Sequence, residues 1–373
     1  MIKGVVRYGD CREIMRRWIA SGIKVQMCVT SPPYWGLRDY KVDGQIGLEQ
    51  TPEEYVAKMV EVFGLVREML RDDGVLWLNV GDTYVGSRCG EKREIPHWDG
   101  REYDGYLENG RVAVDKGRNI PEIRRSKRIN RGSGRWGGGN NPATGNLKPK
   151  DLVGIPWMLA FALRANGWYL RQDIIWSKPN PMPESVRDRC TRAHEYIFLL
   201  SKSHRYYYDG DAICQPCKPA TIERVNQQNY PNQHGSNRVP GKTNGPMKAC
   251  FGGRIKSVES RKQTRLQSGN EDNGNYLERG ANKRSVWSVT TKPFKGAHFA
   301  TFPPDLIAPC ILAGSPPNGI VLDPFIGSGT TAQVALSLGR RYLGCELNPA
   351  YESLINERIK KFEQGEERAV AAD

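Results

Sequence analysis

Hydrophobic and polar positions follow two different spacings in the first 85 residues. Lys24–Thr30 (KVQMCVT) is a short apolar run that predicts a buried strand, and Val75–Val80 (VLWLNV) predicts a second one. Between them, apolar residues recur three and four positions apart from Tyr55 to Leu70, which predicts a helix. A strand, a helix and a strand in this order favour a parallel sheet whose strands are connected by crossover helices.

The predicted helix carries its own start signals. Thr51 is suited to cap the helix, Pro52 fits the first helical position, and Glu54 stands three residues after the cap. Asp73-Gly74 is the kind of sequence that ends a helix, so we expect the helix to run to this point.

Two later segments return to compact, apolar sequence. Residues 151–203 predict a helix that ends at Asn166-Gly167, followed by strands over 169–178 and 195–202. Residues 285–373 predict, in order, a strand at Ile320–Leu322, a helix at Thr330–Leu338, a strand at Tyr342–Cys345 and a closing helix at Tyr351–Phe362.

The segments between them are polar, rich in Gly and Asn, and basic. Residues 86–150 hold 15 Lys and Arg against 8 Asp and Glu, and residues 204–284 hold 14 against 7. The formal net charge of the chain is +14, so these two segments account for all of it. A solvated surface is the simpler interpretation of one basic segment, but two of them flanking neutral sequence favour binding to a polyanion. We expect 86–150 to be a flexible insertion.

The apolar runs, the N-terminal residues and the cysteines indicate the cellular environment of the protein. The chain contains no run of about 20 apolar residues, so no membrane span is expected. Its first residues lack the pattern of a signal peptide, and its nine cysteines are scattered, which indicates reduced thiols in a cytosolic protein. Cys214 and Cys217 form a Cys-x-x-Cys pair without a second pair, so incidental cysteines are favoured over a zinc or redox site.

A glycine-rich turn between two predicted elements carries the first candidate chemistry. In 323-DPFIGSGTT-331 a strand ends in Asp323 and leads through Gly327-Ser328-Gly329 into a helix, and the next strand ends in Glu346. Such glycines let a ligand approach the helix N-terminus, and the second acidic residue can accept hydrogen bonds from ribose hydroxyls. A P-loop is excluded because no Lys stands between Gly329 and Thr330, where the P-loop motif requires one.

The second candidate is 31-SPPYW-35, which follows the first predicted strand. Consecutive prolines stiffen this loop, so its polar groups are held with little conformational entropy left to lose. Standing alone, the stretch could be a plain strand exit. Trp35 fits either a pocket wall or the core.

Together, SPPYW at 31–35, DPFIGSGTT at 323–331 and CELNP at 345–349 resemble the signature of S-adenosylmethionine-dependent DNA amino-methyltransferases. The catalytic motif precedes the cofactor motif, as in the β-type order of that family. The resemblance implies an α/β, Rossmann-like class I methyltransferase fold with permuted motif order and a basic target-recognition region. It assigns 1–85 to the catalytic half, 151–203 to the continued methyltransferase domain and 285–373 to the cofactor-binding half. Residues 204–284 carry no motif of the family, and we expect them to form the target-recognition region.

The resemblance also implies which residues bind S-adenosyl-L-methionine. Glu346 would take the ribose hydroxyls, and Gly9-Asp10-Cys11 would lie near the adenine, which places Asp10 and Cys11 in the cofactor site. Phe299 and Thr301 would close over the methionine end. The residues that would line the methionine side are Asp323, Phe325, Gly327, Ser328, Gly329 and Thr330. No metal is implied. Ser177-Lys178-Pro179-Asn180 resembles, less specifically, a loop near the target base.

The catalytic residues that the resemblance implies are Ser31, Pro32, Pro33 and Tyr34. An exocyclic aromatic amine is a poor nucleophile because its lone pair is delocalised into the ring. Acceptors aimed at its two hydrogens, namely the Ser31 hydroxyl and the Pro32 carbonyl, would direct the lone pair at the methyl group. The base must flip out of the duplex to be reached, and Tyr34 would stack on it.

The expected partner is therefore double-stranded DNA, and the expected location is the cytoplasm of a prokaryotic or phage-type system. Ser in the first motif position is associated in the family with N4 of cytosine, whereas Asp or Asn goes with N6 of adenine, so adenine remains the alternative. An inactive nucleic-acid-binding module of the same fold, an RNA substrate and a cognate restriction endonuclease as partner are also left open.

Overall fold

The computed structural model describes residues 4–85, 147–220, 223, 280–291 and 302–363. Eight strands of these residues form one sheet in the order β1-β8-β7-β2-β3-β5-β4-β6. The strands are β1 (Gly4–Tyr8), β2 (Val25–Thr30), β3 (Leu70–Val80), β4 (Tyr169–Ser177), β5 (His194–Ser201), β6 (Val286–Ser288), β7 (Ile320–Asp323) and β8 (Arg341–Glu346). Among them β5 alone is antiparallel to its neighbours β3 and β4.

Six helices of the described residues cover both faces of this sheet. They are α1 (Cys11–Ala20), α2 (Pro52–Met69), α3 (Ile155–Ala165), α4 (Pro304–Gly314), α5 (Thr330–Ser337) and α6 (Glu352–Glu363). The first three pack with Cys28, Leu76 and Leu78 on one face, whereas α4, α5 and α6 pack with Met27, Val29 and Trp77 on the other. Successive residues of a strand point to opposite faces, so a sheet covered on both sides needs continuous apolar runs such as VQMCVT.

The start signals of α2 are confirmed. Thr51 accepts a hydrogen bond from the backbone of Glu54, and the Glu54 carboxylate accepts one in return from the backbone of Thr51. The predicted end at Asp73-Gly74 was wrong, because α2 ends at Met69 and Leu70 already belongs to β3. Leu70 is fully buried and pairs with Val25 of β2, so tertiary pairing ends the helix four residues before the glycine.

The helix predicted from Asp151 begins later, at Ile155. Residues before it pair with the end of the segment that follows β3: Tyr84 and Leu152 form an antiparallel bridge, and Val85 donates a backbone hydrogen bond to Asp151. Asp82 then accepts hydrogen bonds from the backbone N–H groups of Gly154 and Ile155, at 3.0 and 3.1 Å. We call residues 83–85 and 150–153 the paired stem, since both ends of the segment 86–146 are held there.

The strand predicted at Val75–Val80 is confirmed but begins five residues earlier, at Leu70. The other predicted strands and helices are confirmed with bounds shifted by a residue or two. Trp35, left open between pocket and core, is 2% exposed and donates its indole N–H to the backbone carbonyl of Glu49. Most of the predicted insertion 86–150 and most of the predicted target-recognition region 204–284 lie outside the described residues. In the part of the chain that is described, no helix is long and apolar enough to cross a membrane.

Candidate active site

The sheet brings the two predicted motifs together at one edge. Strands β7 and β2 are parallel neighbours, so their carboxyl ends at Asp323 and Thr30 lie side by side. The connecting helices change face between these strands, because α2 follows β2 on one face and α5 follows β7 on the other. In parallel sheets a ligand crevice forms at such a point, outside the carboxyl ends of the strands.

A buried carboxylate joins the motifs across this point. Asp323 is 1% exposed and accepts hydrogen bonds from the hydroxyls of Thr30 at 2.6 Å and Thr331 at 2.5 Å, and from the backbone N–H of Phe325 at 3.0 Å. Burial raises the pKa of the Asp323 carboxyl to about 6, and these three donors oppose the rise. Thr30 directly precedes Ser31, so the Asp323 side chain fixes the start of 31-SPPYW-35, the predicted catalytic loop, and the start of 323-DPFIGSGTT-331, the predicted cofactor motif.

The loop after Asp323 is shaped by two glycines. Gly327 and Gly329 have φ of 52° and 83°, a region that side chains other than glycine rarely adopt. The backbone N–H of Gly327 donates to the Glu346 carboxylate at 3.0 Å. A Cβ on Gly329 would come within 3.2 Å of the Ile355 side chain in α6, closer than an ordinary van der Waals contact.

An arginine that the sequence analysis missed holds the same loop from α6. Arg358 donates to the backbone carbonyl of Ser328 at 3.1 Å, to the Ser328 hydroxyl at 2.8 Å and to the Thr330 hydroxyl at 2.7 Å. Both hydroxyls are buried. The two side chains therefore face α6, which leaves the backbone of the loop as the group that can approach a ligand.

Glu346 lies at the carboxyl end of β8, next to the end of β1. Its carboxylate accepts from the backbone N–H groups of Gly327 and, at 2.8 Å, Asn348, and burial raises its pKa. The backbone of Gly9 donates to the Glu346 carbonyl at 2.8 Å, which brings the Gly9-Asp10-Cys11 segment beside this carboxylate.

The two predicted residues of that segment are both engaged within the fold. Asp10 caps α1 and accepts hydrogen bonds from the Arg12 guanidinium, which holds the pKa of the Asp10 carboxyl below its usual value. Cys11 is 7% exposed, and burial raises the pKa of its thiol to about 12. Phe299 and Thr301 lie outside the described residues.

The catalytic loop leaves β2 with Ser31 half-buried and Pro32 buried. Its backbone is fixed from α2, where the Tyr55 hydroxyl donates to the Pro33 carbonyl at 2.8 Å. The Tyr34 ring lies against Gly81, where a Cβ would come within 2.6 Å of the ring. The loop is thus held by groups of α2 and of the residue after β3, and not by its prolines alone.

Three further polar residues converge on Tyr34, and the sequence analysis singled out only Lys178 among them. The Tyr34 hydroxyl donates to Glu195 at 2.7 Å, and Asn79 donates to the same carboxylate oxygen at 3.3 Å. Lys178 pairs with the other carboxylate oxygen of Glu195. A carboxylate inside the apolar run of β5 is the signal that could have drawn attention to Glu195.

The described residues contain no group of three or more His, Cys, Asp and Glu side chains arranged to hold a metal ion. Each of the seven cysteines within the described ranges is a free thiol. The groups that the described residues place at the crevice are carboxylates, hydroxyls, the backbone of Gly327 and Gly329, and Tyr34.

A three-layer α/β fold with a glycine-shaped loop and an acidic strand end at the carboxyl edge is that of a class I methyltransferase. Residues 25–357 match the model of the N6/N4 methyltransferase family, described as DNA methylase. The chain is 39% identical to Type II methyltransferase M.Cfr9I of Citrobacter freundii, over 97% of this chain and 88% of that protein. It is 40% identical to Type II methyltransferase M.SmaI of Serratia marcescens, over 94% of this chain and 89% of that protein.

This chain belongs to the DNA methylase family. Among solved structures, PvuII DNA methyltransferase (cytosine-N4-specific) aligns with a TM-score of 0.50 at 14% identity, over 97% of this chain and 93% of that one, a likeness that concerns the fold. The protein is a DNA methyltransferase, and its methyl donor is S-adenosyl-L-methionine.

Proposed function

We propose that this protein is a site-specific Type II methyltransferase that methylates the exocyclic N4 amine of cytosine in duplex DNA after the base has flipped out of the helix. The observation that carries this proposal is the position of Ser31. Ser31 directly follows Thr30 at the carboxyl end of β2, and Thr30 is hydrogen-bonded to Asp323, the first residue of the predicted cofactor motif. In this family, a serine in the first position of the motif is associated with methylation of N4 of cytosine.

The catalytic roles follow from this position. The Ser31 hydroxyl and the Pro32 carbonyl accept the two hydrogens of the amine, so that its lone pair points at the methyl group. S-adenosyl-L-methionine, when bound, supplies that methyl group as an electrophile. Pro33, held by Tyr55, fixes the loop, and Tyr34 stacks on the flipped base.

The cofactor would be held by the glycine-shaped loop and by Glu346. The backbone of Gly327, Ser328 and Gly329 lies at the N-terminus of α5, where N–H groups and the helix dipole attract polar ligand groups. The Glu346 carboxylate makes two backbone hydrogen bonds and, with about four lone-pair sites, keeps capacity for ribose hydroxyls. These features fit an adenosyl ligand, with the Asp10 segment beside it.

Replacing Arg358 with methionine is expected to weaken the binding of S-adenosyl-L-methionine about tenfold. The change removes the Arg358 Nη1 group, whose two hydrogens are shared among the Ser328 carbonyl and the Ser328 and Thr330 hydroxyls. A hydrogen bond is worth about 1 kcal/mol, and part of the loss falls on the bound state. Isothermal titration calorimetry measures the dissociation constant. Arg341→Met is the matched control, since Arg341 bonds the carbonyl of Asn318 at the opposite end of β8. Equal constants for Arg358→Met and the wild type would contradict the role of this arginine.

The choice of base is tested by mass spectrometry of nucleosides from DNA of cells that express the protein. N4-methylcytosine is expected, and the Ser31→Ala variant expressed to the same level should yield none above background. N6-methyladenine alone would overturn the choice of cytosine. Neither product, together with no binding of S-adenosyl-L-methionine, would favour an inactive nucleic-acid-binding module.

The two basic segments are proposed to bind the DNA. Each carries a net charge of +7, which supports contacts to phosphates. Residues 204–284 would recognise the target sequence and 86–150 would embrace the duplex, while 1–85, 151–203 and 285–373 form the methyltransferase domain. The relatives named Type II methyltransferases further support a role in protecting DNA from a cognate restriction endonuclease.

A further inference from the structure

Glu195 occupies a position that the proposed chemistry does not yet use. It is the second residue of β5, and its side chain is 13% exposed. One carboxylate oxygen accepts from the Tyr34 hydroxyl at 2.7 Å, and the other pairs with the Lys178 ammonium, whose side chain is 19% exposed. A carboxylate this far from water is retained at a desolvation cost, which its two partners offset.

The contacts around it come from three separate parts of the fold. Asn79 of β3 donates to Glu195 at 3.3 Å and to the Tyr196 carbonyl at 3.2 Å, so the carboxylate is also fixed from the neighbouring strand. Lys178, just after β4, lies 4.4 Å from the centre of the Trp176 ring. Glu195 is therefore the common partner of a catalytic-loop side chain and of the loop that follows β4.

The other polar contacts of the Tyr34 hydroxyl are longer, and one of them is to the Asn79 side-chain oxygen at 3.5 Å. Gly81 leaves room for the ring, and the Ser31 hydroxyl lies 3.5 Å from the Tyr34 hydroxyl, at the limit of a hydrogen bond. The bond to Glu195 is the short, charge-assisted one, and such bonds are about twice as strong as neutral ones. Among the polar contacts of the Tyr34 hydroxyl, the one from β5 is therefore the strongest.

We propose that Glu195 is a positioning residue for capture of the target base: one oxygen fixes the Tyr34 ring in the orientation that receives the base, and the other holds Lys178 on the loop that follows β4. This inference rests on the proposed roles of Ser31 and Tyr34. It adds to them that the orientation of the Tyr34 ring is held by a residue of β5, about 160 positions away from Tyr34 along the chain.

The test compares Tyr34→Phe, Glu195→Gln and the double variant in single-turnover methylation of unmethylated plasmid DNA at saturating S-adenosyl-L-methionine. Tyr34→Phe keeps the ring and removes only the hydroxyl. Each single variant is expected to lower the rate about tenfold and to leave the dissociation constant of the cofactor within about twofold. The double variant is expected to be no more than about threefold slower than either single one, because both changes break the same contact.

A wild-type rate in Tyr34→Phe, or independent effects that multiply in the double variant, would overturn the proposal, and Tyr34→Phe decides it even if Glu195→Gln does not fold. Glu13→Gln, which changes an exposed carboxylate of α1 paired with Arg17, is the matched control and should keep the wild-type rate. Ser31→Ala separates the two levels of inference. If Ser31→Ala keeps the wild-type rate, the proposed role of Ser31 at the amine is wrong. If Ser31→Ala loses activity while Tyr34→Phe and Glu195→Gln keep the wild-type rate, only the proposed role of Glu195 is wrong.

Discussion

Replacing Ser31 with alanine is expected to lower the single-turnover rate of methyl transfer by about 100-fold or more and to leave the dissociation constant of S-adenosyl-L-methionine within about twofold. The removed hydroxyl would act on the amine only as it becomes nucleophilic, and loss of one such preorganised polar group from an active site costs about 100- to 1000-fold. Its neighbours stay in place because the loop is held by Thr30–Asp323 and Tyr55–Pro33 hydrogen bonds.

The measurement follows transfer of a labelled methyl group to DNA with enzyme in excess, alongside calorimetric titration of the cofactor. Ser21→Ala is the control, since the Ser21 hydroxyl bonds the Arg17 carbonyl at the end of α1, outside the crevice. If Ser31→Ala weakens cofactor binding as much as it slows transfer, Ser31 supports the cofactor and does not act on the amine.

Replacing Asp323 with alanine is expected to weaken the binding of S-adenosyl-L-methionine at least about 30-fold, equivalent to about 2 kcal/mol. The Thr30 and Thr331 hydroxyls and the Phe325 N–H lose their common acceptor, so the cofactor loop is no longer tied to β2. Calorimetric titration measures the loss, and an unchanged dissociation constant would show that the loop keeps its shape without this carboxylate.

Asp323→Asn is the matched variant for the charge alone, and its effect on stability depends on pH. The asparagine resembles the protonated carboxyl. Its side-chain NH2 group can donate to the Thr331 hydroxyl, while its oxygen still accepts hydrogen bonds from the Thr30 hydroxyl and the Phe325 N–H. The pKa of Asp323 is about 6 in the folded protein against 3.8 for the ordinary carboxyl. The folded state therefore holds the proton more tightly, and the wild type loses stability as the pH rises between these values.

We therefore compare the free energy of unfolding of the wild type with that of Asp323→Asn by subtracting the second from the first. This difference should be constant below about pH 4 and should fall by up to about 3 kcal/mol as the pH rises to about 6. Above that pH it should stay constant. Chemical denaturation at a series of pH values measures this difference. A difference that rises with pH would mean that the ionised form is the better fit to the site.

Local signals in the sequence were sufficient for much of the fold. The start of α2 was predictable because Thr51, Pro52 and Glu54 act within one turn, and the apolar strand runs were predictable because both faces of the sheet are covered. The end of α2 was not, since it depends on pairing of Leu70 with Val25. The reversed direction of β5 likewise depends on its neighbours in the sheet and leaves no mark in its own residues.

The same distinction applies to the candidate site. Asp323, Gly327 and Glu346 stand in motifs whose spacing along the chain reflects the crevice directly. Arg358 and Glu195 act across about 30 and about 160 residues, and nothing beside them in the sequence indicates their partners. Side chains that hold the reacting groups from another element are found only once the elements have been assembled.

The paired stem has a consequence for how such an enzyme can change. Val85 and Asp151 are joined by a backbone hydrogen bond, and Asp82 accepts hydrogen bonds from the first N–H groups of α3, so these contacts are made by residues 82–85 and 151–155 themselves. Insertions, deletions or exchange of that segment between related enzymes would leave Asn79, Gly81 and α3 where they are.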